Sequence, residues 1–559
     1  MGRLRPGGQR AVCGVEKGIA RLGTHTQRYS PFVRLVKRIL RRWQDSSRDA
    51  DFVRLAQAGI LKPAKMEQAP RGGQAPQTMA TFYIQQFGCR ATQADAAAIE
   101  RQLLERAYQA APEADLADVV VVNTCTVTAA ADAQARAAIR EIGARNPSTR
   151  IVVTGCYAQR APEELAALPG VAWVVGNSHK AQIPGLIGGL ARGRETQPTG
   201  ETFFPLEQLA PGTAPAVPAR ILRSDALEHA DFLSAPVLGG ECGHTRPTLK
   251  IQDGCNSRCS FCVIPLVRGR SRSLPPEEVL GAVRSLASAG HKEIVLSGIN
   301  LGTYGRDLHP RVELLDLLRR ILERTSLERL RISSIEPLDI TGELIELFAA
   351  TERMARHFHV PLQSGSDRIL AAMHRGYRAE QYARRLEYIR ERLPDAAIGA
   401  DVIAGFPGET DADHAATLEL VRRLPFTYLH VFSFSARPGT QAAQLEGQLP
   451  PAVIRRRARE LRALSAEKSA AFARAQIGRR LRVLTLRPGE EDSLLGATNT
   501  ISSNNLRVRV PGVFPANQFL DVPVNRVEGT RLMASANDEP EGMGLQSETQ
   551  DSKVTCARA

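Results

Sequence analysis

The 559-residue chain has no apolar run near the ~20 residues of a membrane span, and its N-terminus lacks the apolar segment of a secretory signal. We therefore expect a cytoplasmic protein with no membrane partner. The folded part also lacks a strong charge. Residues 1–78 hold sixteen basic and five acidic residues, which leaves only +3 of the net charge of +14 for the rest of the chain. The overall charge is thus weak evidence that the folded part binds nucleic acid.

Changes in composition divide the chain into segments. Residues 1–78 are rich in Arg, Gly and Gln. We interpret them as a disordered or mis-annotated extension ahead of a true start at Met79, in preference to a transit peptide or an RNA-binding arm. Residues 192–245 are dense in Pro, Gly, Ala and Thr and predict a linker, whereas residues 536–559 predict a polar, disordered tail.

Three folded segments remain, and their hydrophobic patterns predict an α/β protein. In residues 79–191, apolar strands alternate with amphipathic helices, as in an open α/β domain. Residues 246–475 contain about six strand–helix units, which predict a partial (β/α) barrel with its function at the carboxyl ends of the strands. Residues 476–535 alternate in short runs punctuated by Gly, Pro and Asn, which predicts a small β-barrel.

Nine cysteines are an odd number, so reduced thiols for metal binding or catalysis are expected rather than disulfides. The stretch "GCNSRCSFCVIP" places Cys255, Cys259 and Cys262 directly after the first barrel strand. A zinc finger would need a fourth ligand, and the nearest candidates, Cys242 and His244, precede that strand. Three thiolates suit an iron–sulfur cube in which one iron remains free for another ligand.

A second set of cysteines follows the ends of three predicted strands, in "FGCRATQAD", "VNTCTVT" and "TGCYAQ". Ligands bind at that edge of an open α/β sheet, so these thiols can converge although they are distant in sequence. One buried cysteine at a strand end is usually a small hydrophobic residue, but three in matching positions predict a second site. The three residues are Cys89, Cys125 and Cys156. We interpret the remaining cysteines as incidental thiols: Cys13, Cys242 and Cys556.

The C-x3-C-x2-C motif, with Phe261 before its last cysteine, resembles the radical S-adenosylmethionine (SAM) superfamily. The upstream cysteines and the terminal barrel resemble its methylthiotransferases, over about residues 80–535. "QDGCNSRCSFCVIPLVRGRSRS", "LSGINLGTYG", "RISSIEP" and "HVPLQSGSDRILAAMHRGY" are similar to motifs of the branch that acts on threonylcarbamoyladenosine in tRNA. The isopentenyladenosine branch typically has G-Q-N where this chain has "GIN", and the branch that modifies a ribosomal protein matches less well.

This resemblance implies a radical SAM barrel and two [4Fe–4S] clusters. One cluster would bind SAM and generate an adenosyl radical, with the ligands Cys255, Cys259 and Cys262. The other would hold a sulfur atom that one SAM methylates, with the ligands Cys89, Cys125 and Cys156. The expected reaction adds a methylthio group to C2 of N6-threonylcarbamoyladenosine at position 37. The implied partners are the tRNA anticodon stem-loop and a reductant such as flavodoxin or ferredoxin.

Four further residues are candidates for binding SAM. Gly298 and Asn300 follow the second barrel strand, where the methionine part of SAM could approach the backbone. Glu336 and Gln363 end the third and fourth strands and could bond the ribose and the sulfonium region; ordinary strand-end capping is the alternative. A hydrogen-bonded role, rather than metal ligation, is predicted for two histidines in a strand, His357 and His359.

Two departures from the family pattern leave alternatives open. Thr92 stands where the family usually has Asn, which puts a contact near the upstream cluster in doubt. The terminal barrel resembles a TRAM domain but lacks its usual aromatic residue, so RNA affinity would depend on arginines that meet phosphates: Arg479, Arg480, Arg482, Arg507 and Arg509. The alternatives are a sister enzyme acting on isopentenyladenosine 37 and a non-catalytic iron–sulfur or zinc protein that binds RNA.

Overall fold

The structure is a computed structural model that describes residues 80–191, 219–228, 232–237, 245–489 and 496–535. The predictions for the extension, the tail and most of the linker fall outside these residues, as do Cys13, Cys242 and Cys556. Among the residues that the structure describes, none of the helices combines the length and apolar character that crossing a membrane requires.

The N-terminal domain is a six-stranded parallel sheet in the order β2-β1-β3-β4-β5-β6. Its strands are β1 (Thr81–Gln86), β2 (Gln109–Ala110), β3 (Val119–Thr124), β4 (Arg150–Gly155), β5 (Val171–Val175) and β6 (Arg220–Leu222). Its helices are α1 (Arg90–Leu104), α2 (Ala129–Arg145), α3 (Cys156–Arg160), α4 (Pro162–Ala166) and α5 (Ile183–Ala191). Helices cover both faces of the sheet, which is why β3 is apolar along successive residues: Val120 packs toward α2, and Val121 packs toward α1 and α5.

Six parallel strands form the central barrel, as two three-stranded sheets joined by bridges such as Ser334 to His359. These strands are β7 (Thr248–Lys250), β10 (Glu293–Ser297), β11 (Arg329–Ile332), β12 (His357–His359), β13 (Ala397–Ala404) and β14 (Tyr428–Ser433), and a short antiparallel pair comprises β8 (Gln252–Asp253) and β9 (Arg272–Ser273). The helices are α6 (Ile264–Arg268), α7 (Pro276–Ser288), α8 (Leu314–Arg324), α9 (Gly342–Ala350), α10 (Asp367–Ala372), α11 (Ala379–Arg392), α12 (Asp411–Arg423) and α13 (Pro451–Arg474). The amphipathic pattern of α8 shows why they pack on the strands, since Leu314, Leu318 and Ile321 share one buried face.

The C-terminal domain is a closed barrel of five strands in the order β15-β16-β17-β19-β18. They are β15 (Arg480–Thr485), β16 (Ala497–Ser502), β17 (Arg507–Pro511), β18 (Phe519–Glu528) and β19 (Arg531–Ala534). Alternate residues point inward, such as Val508 and Val510 on β17. The predicted α/β fold class with an open domain, a partial (β/α) barrel and a small β-barrel is confirmed.

A buried charge cluster attaches the C-terminal barrel to the central one. Glu293 accepts hydrogen bonds from Arg329 at 2.5 Å and from Arg331 at 2.8 Å. The same arginines donate to the main-chain oxygens of Ile501 and Ser502, each at 3.2 Å. Burial would raise the pKa of Glu293, but the attraction of these arginines outweighs burial and holds that pKa well below its usual range. The carboxylate therefore stays charged and the attachment stays intact at neutral pH.

A second buried charge cluster, here called the Asp95 network, attaches the N-terminal domain to the central barrel. Asp95 on α1 accepts from Lys180 at 2.7 Å, from Lys250 at 2.5 Å and from Arg268 at 2.9 Å. Asp253 accepts from Lys250 at 2.8 Å and from Arg268 at 2.9 Å. Burial raises the pKa of Asp95, but the three cations outweigh burial and lower it to about 2. The network fixes α1, and Cys89 before it, relative to the barrel.

Candidate iron–sulfur and substrate site

The three upstream cysteines meet at one edge of the N-terminal sheet. Cys89 precedes α1, Cys125 follows β3 directly, and Cys156 begins α3 after β4. Strands β1, β3 and β4 are neighbours, so their carboxyl ends bring the thiols together. Burial, with a smaller contribution from the nearby thiols of Cys156 and Cys89, raises the pKa of Cys125 to about 12. The structure therefore assembles the predicted trio.

Two glycines allow this close approach. Gly88 and Gly155 have φ angles of 101° and 98°, in the left-handed region that favours glycine. A Cβ atom on Gly88 would lie 2.6 Å from Cβ of Cys125, and one on Gly155 would lie 2.3 Å from the main-chain oxygen of Thr124. Any side chain at these positions would push the cysteine loops apart.

Thr92 supports the loop that carries Cys89. Its hydroxyl donates to the main-chain oxygen of Cys89 at 2.6 Å, and Asn123 donates to the main-chain oxygen of Thr92 at 2.7 Å. Although Thr92 stands where the family usually has Asn, its side chain contacts the main chain of Cys89. On the other side of the trio, the side-chain nitrogen of Asn177 lies 3.7 Å from the sulfur of Cys156.

The second trio lies on the loop between β8 and α6. Burial raises the pKa of Cys259, and raises the pKa of Cys262 to about 12, while the neighbouring thiols add to the shift of Cys262. Hydrogen-bond donors approach two sulfurs of this trio. Asn300 Nδ2 lies 3.7 Å from Cys255 Sγ, and Arg375 Nη1 lies 3.3 Å from Cys259 Sγ. Such donors favour the thiolate form that a metal ligand needs.

In neither trio are the sulfur atoms as close together as the ligands of one metal ion. Within the described parts of the chain, the only group of three ligand atoms all within 4.8 Å of one another is His359, Asp401 and His430. At least one sulfur–sulfur distance in each trio is therefore longer, whereas a tetrahedral zinc ion holds its thiolates about 3.8 Å apart. A [4Fe–4S] cube spreads its thiolates over separate irons. Neither trio therefore has the spacing of a single tetrahedral zinc site.

Gly298 and Asn300 lie beside the loop of Cys255, and both contact Gln252. A Cβ atom on Gly298 would lie 2.9 Å from the side-chain oxygen of Gln252, so close packing explains this glycine. The main-chain N–H of Asn300 donates to the same oxygen at 2.8 Å. Gln252 was missed from the sequence, although its position in "KIQDGC" just before the first cysteine of the motif is a usable signal.

Glu336 also lies close to this trio, whereas the described contacts of Gln363 are with strand β13. Glu336 is ion-paired with Arg375, which also reaches Cys259, and its side chain caps no helix. Gln363 is buried with a φ angle of 68°, and its backbone pairs with Val402. Arg375 was missed as well, because nothing in "MHRGY" indicates that the arginine folds back onto a cysteine.

One large cavity of about 1360 Å³ separates the three domains. The N-terminal domain, the central barrel and the C-terminal barrel each contribute to its wall, among others through Cys89, Arg90, Gly298, His430, Arg507 and Arg531. Pockets for single small ligands typically measure about 300–1,000 Å³. The cavity is therefore large enough for a cofactor and a nucleotide together.

On the barrel side of the cavity, two histidines surround one carboxylate. Nε2 of His359 and Nδ1 of His430 lie 3.2 and 3.3 Å from the same oxygen of Asp401. Ser334 Oγ contacts the other ring nitrogen of His359 at 2.6 Å. Burial raises the pKa of Asp401, but hydrogen bonds from the two histidines outweigh burial and lower it to about 2. His359 is hydrogen-bonded here, and the same group of His359, Asp401 and His430 is spaced to hold a metal ion, so its predicted role stays a prediction.

Comparison with known proteins gives two family matches: the radical SAM superfamily over residues 249–421, and the Uncharacterized protein family UPF0004 over residues 81–176. The chain is 38% identical over 409 residues to the Threonylcarbamoyladenosine tRNA methylthiotransferase MtaB of Aquifex aeolicus (strain VF5), covering 73% of this chain and 93% of that protein. It is 38% identical over 396 residues to the protein of that name from Bacillus subtilis (strain 168), covering 71% and 82%. It is 35% identical over 468 residues to the tRNA-2-methylthio-N(6)-dimethylallyladenosine synthase of Sphingopyxis alaskensis, covering 82% and 98%.

These matches cover both halves of the cysteine-bearing region. The radical SAM domain implies a [4Fe–4S] cluster and SAM, and the relatives imply a tRNA substrate. Relatives named for two different nucleosides align over most of their lengths, so the matches define the reaction more closely than the nucleoside. The chain is an enzyme and belongs to the family of radical SAM tRNA methylthiotransferases.

Proposed function

We propose that this enzyme adds a methylthio group to C2 of N6-threonylcarbamoyladenosine at position 37, in the anticodon stem-loop of tRNA. The observation that carries this choice is the charge of the cavity. Arg90, Arg507 and Arg531 line it, and no hydrogen bond or ion pair joins their side chains to any other described residue. A threonylcarbamoyl group carries a carboxylate, whereas an isopentenyl group is a hydrocarbon. Arg507 and Arg531 are available to the phosphates of any tRNA, so the choice rests on Arg90, whose unpaired guanidinium group favours the anionic substituent.

We also propose that each cysteine trio holds a [4Fe–4S] cluster. The SAM-binding cluster would have the ligands Cys255, Cys259 and Cys262, and the second cluster would have the ligands Cys89, Cys125 and Cys156. The sulfur spacing and the donors beside Cys255 and Cys259 support this assignment. Bound clusters and SAM supply one-electron chemistry, which C2 of adenine requires because it offers neither an acidic proton nor a leaving group.

The residues of the chain would orient the groups of the site. Asn300 and Arg375 would donate toward the sulfurs of Cys255 and Cys259, and Gln252 would hold Asn300 in place through its main chain. The positive charge of Arg268, part of the Asp95 network, lowers the cost of a thiolate at Cys125. Gly298, Asn300, Glu336 and Gln363 are proposed to contact SAM, with Glu336 positioned by Arg375.

The C-terminal barrel is proposed to bind the RNA backbone. Of the arginines named from the sequence, Arg507 lines the cavity and Arg479 is exposed. Arg482, in contrast, is ion-paired with Glu328 at 2.9 Å and lies over the ring of Phe519, so it holds the domains together instead. We further propose a flavodoxin or ferredoxin as electron donor and the cytoplasm, where tRNA is modified, as the location.

The test of the nucleoside is mass spectrometry of tRNA nucleosides from cells with and without the gene. We expect loss of the methylthio derivative of threonylcarbamoyladenosine on deletion and its return with the wild-type gene. Loss of the methylthio derivative of isopentenyladenosine instead would transfer the assignment to the sister reaction. Strains carrying a Cys259→Ala gene serve as the inactive control.

The two-cluster proposal has a separate test. Anaerobically reconstituted protein should contain about eight irons, and Cys89→Ala protein about four. The Cys89→Ala enzyme should still cleave SAM to 5′-deoxyadenosine without methylthiolating RNA, whereas the Cys259→Ala enzyme should cleave none. Equal cleavage by both variants would show that the trios have been assigned the wrong roles.

A further inference from the structure

Arg90 lies in the wall of the cavity, beside the first cysteine of the upstream trio. It is the first residue of α1 and follows Cys89 directly. Its side chain is exposed, and the space that it faces is the cavity. It lies within electrostatic reach of Tyr428 and His357, both on the barrel strands. The N-terminal domain thus projects a guanidinium group toward the open side of the barrel.

No carboxylate of the described residues around the cavity is free to neutralise this charge. Asp401 is held by His359 and His430. Glu293 is held by three arginines of the charge cluster beneath the C-terminal barrel, and Glu528 pairs with Arg526 at 3.0 Å. Arg90 therefore has five N–H donors and no acidic partner within the protein, and a planar carboxylate matches the fork of a guanidinium group in two parallel hydrogen bonds.

Because Arg90 lies beside Cys89, its position determines which anionic group of the substrate it can contact. Phosphates of the RNA backbone are the natural partners of Arg507 and Arg531, which belong to the C-terminal barrel. Cys89 belongs to the trio proposed to supply sulfur to C2 of the adenine. C2 and the carbon that bears N6 both adjoin N1 of the ring, so a group next to this trio faces the N6 substituent and not the phosphates.

We propose that Arg90 binds the carboxylate of the N6-threonylcarbamoyl group and thereby selects this nucleoside over one with an apolar substituent. The proposal rests on the proposed function and assigns its specificity to one side chain. Arg507 and Arg531 supply affinity for any RNA, whereas Arg90 supplies discrimination between substituents.

The experiment measures binding of labelled anticodon stem-loops to the reconstituted enzyme by fluorescence anisotropy. One RNA carries threonylcarbamoyladenosine and the other its methyl ester, which has no charge. The wild-type enzyme should bind the acid about 10- to 100-fold more tightly, the range of a hydrogen-bonded charge pair. Arg90→Gln should weaken binding of the acid to the level of the ester. The matched variant Arg507→Gln should weaken both RNAs equally.

Equal wild-type affinity for acid and ester overturns the proposal without any substitution, and so does an Arg90→Gln enzyme that keeps the preference. Because Arg90 adjoins Cys89, iron content and visible absorption are compared between the variant and the wild type. Methylthiolation assays distinguish a failure of the proposed function from a failure of the proposed role of Arg90. A wild-type enzyme that modifies only isopentenyladenosine RNA contradicts the proposed function, whereas one that modifies threonylcarbamoyladenosine RNA irrespective of Arg90 contradicts only the role of Arg90.

Discussion

Replacing Asp95 with Asn should loosen the N-terminal domain from the central barrel. Asp95 and Asp253 together face three buried cations, Lys180, Lys250 and Arg268. Arg272 lies 4.0 Å from Asp253 as a fourth, so the Asp95 network carries an excess of positive charge. Asparagine keeps the shape but raises that buried charge by one. Lys180 also loses the only carboxylate with which it pairs among the described residues.

The magnitude follows from the burial of every member. Removing one partner from a buried ion pair costs about 3–5 kcal/mol, because the remaining charge is left without compensation. With an unfolding entropy of about 2.1 cal/mol/K per residue, the compact unit of residues Thr78–Ala559 should lose about 3–5 °C in unfolding temperature. The pKa of Asp95 is lowered to about 2, so the wild-type carboxylate is charged at neutral pH. The full difference in unfolding free energy between the wild type and Asp95→Asn is therefore measurable at that pH.

The assay is thermal unfolding of anaerobic protein at pH 7.5, followed by circular dichroism. The matched control is Asp115→Asn, which removes an exposed carboxylate 3.9 Å from Arg145 and should cost less than about 1 kcal/mol. SAM cleavage should persist in Asp95→Asn while methylthiolation falls, because Cys89 directly precedes the helix that Asp95 anchors. An Asp95→Asn protein that unfolds within a degree of the control would refute the attachment role of the network.

Three further predictions concern the cysteine loops and a buried histidine. Gly155→Ala should reduce iron from about eight to about four per chain while SAM cleavage persists, since its Cβ atom would lie 2.3 Å from the oxygen of Thr124; unchanged iron content would contradict this steric argument. Arg375→Gln should slow formation of 5′-deoxyadenosine about 10- to 100-fold by removing the donor to Cys259 and the partner of Glu336, and chromatography of the products measures the rate; a wild-type rate would leave Arg375 without a role. Burial, and after it the charge of Arg331, holds the pKa of His357 well below 6.5, so at acidic pH the unfolded chain binds a proton that the folded chain does not bind. The free energy of unfolding should therefore fall as the pH drops below about 6.5. The unfolding temperature of His357→Gln, measured across this pH range, should fall less steeply than that of the wild type.

The cysteine trios could be predicted from sequence because their information is local. Cys255, Cys259 and Cys262 lie within one loop, and Cys89 and Cys125 each follow a strand whose apolar pattern is visible. The parallel order of the strands then brings distant thiols to one edge. The three-domain α/β fold followed from the same patterns.

Residues that act over long sequence separations could not be found in this way. Arg375 reaches Cys259 from 116 positions away, and Asp95 meets Arg268 from 173 positions away. In the sequence each is an ordinary charged residue near a helix. Arg482 was predicted to meet phosphate, yet docking of the C-terminal barrel gives it Glu328 as a partner. Such roles depend on the relative placement of folded units, which no periodicity encodes.

Part of the joint beneath the C-terminal barrel consists of arginines that bond to main-chain oxygens. Arg329 donates to the oxygens of Arg482 and Ile501, and Arg331 donates to that of Ser502. A carbonyl oxygen is present whatever side chain the residue bears. Substitutions on the barrel surface therefore leave these three bonds in place. The ion pair of Arg482 with Glu328 and the arginines that line the cavity depend instead on side chains that an exchanged barrel would have to keep.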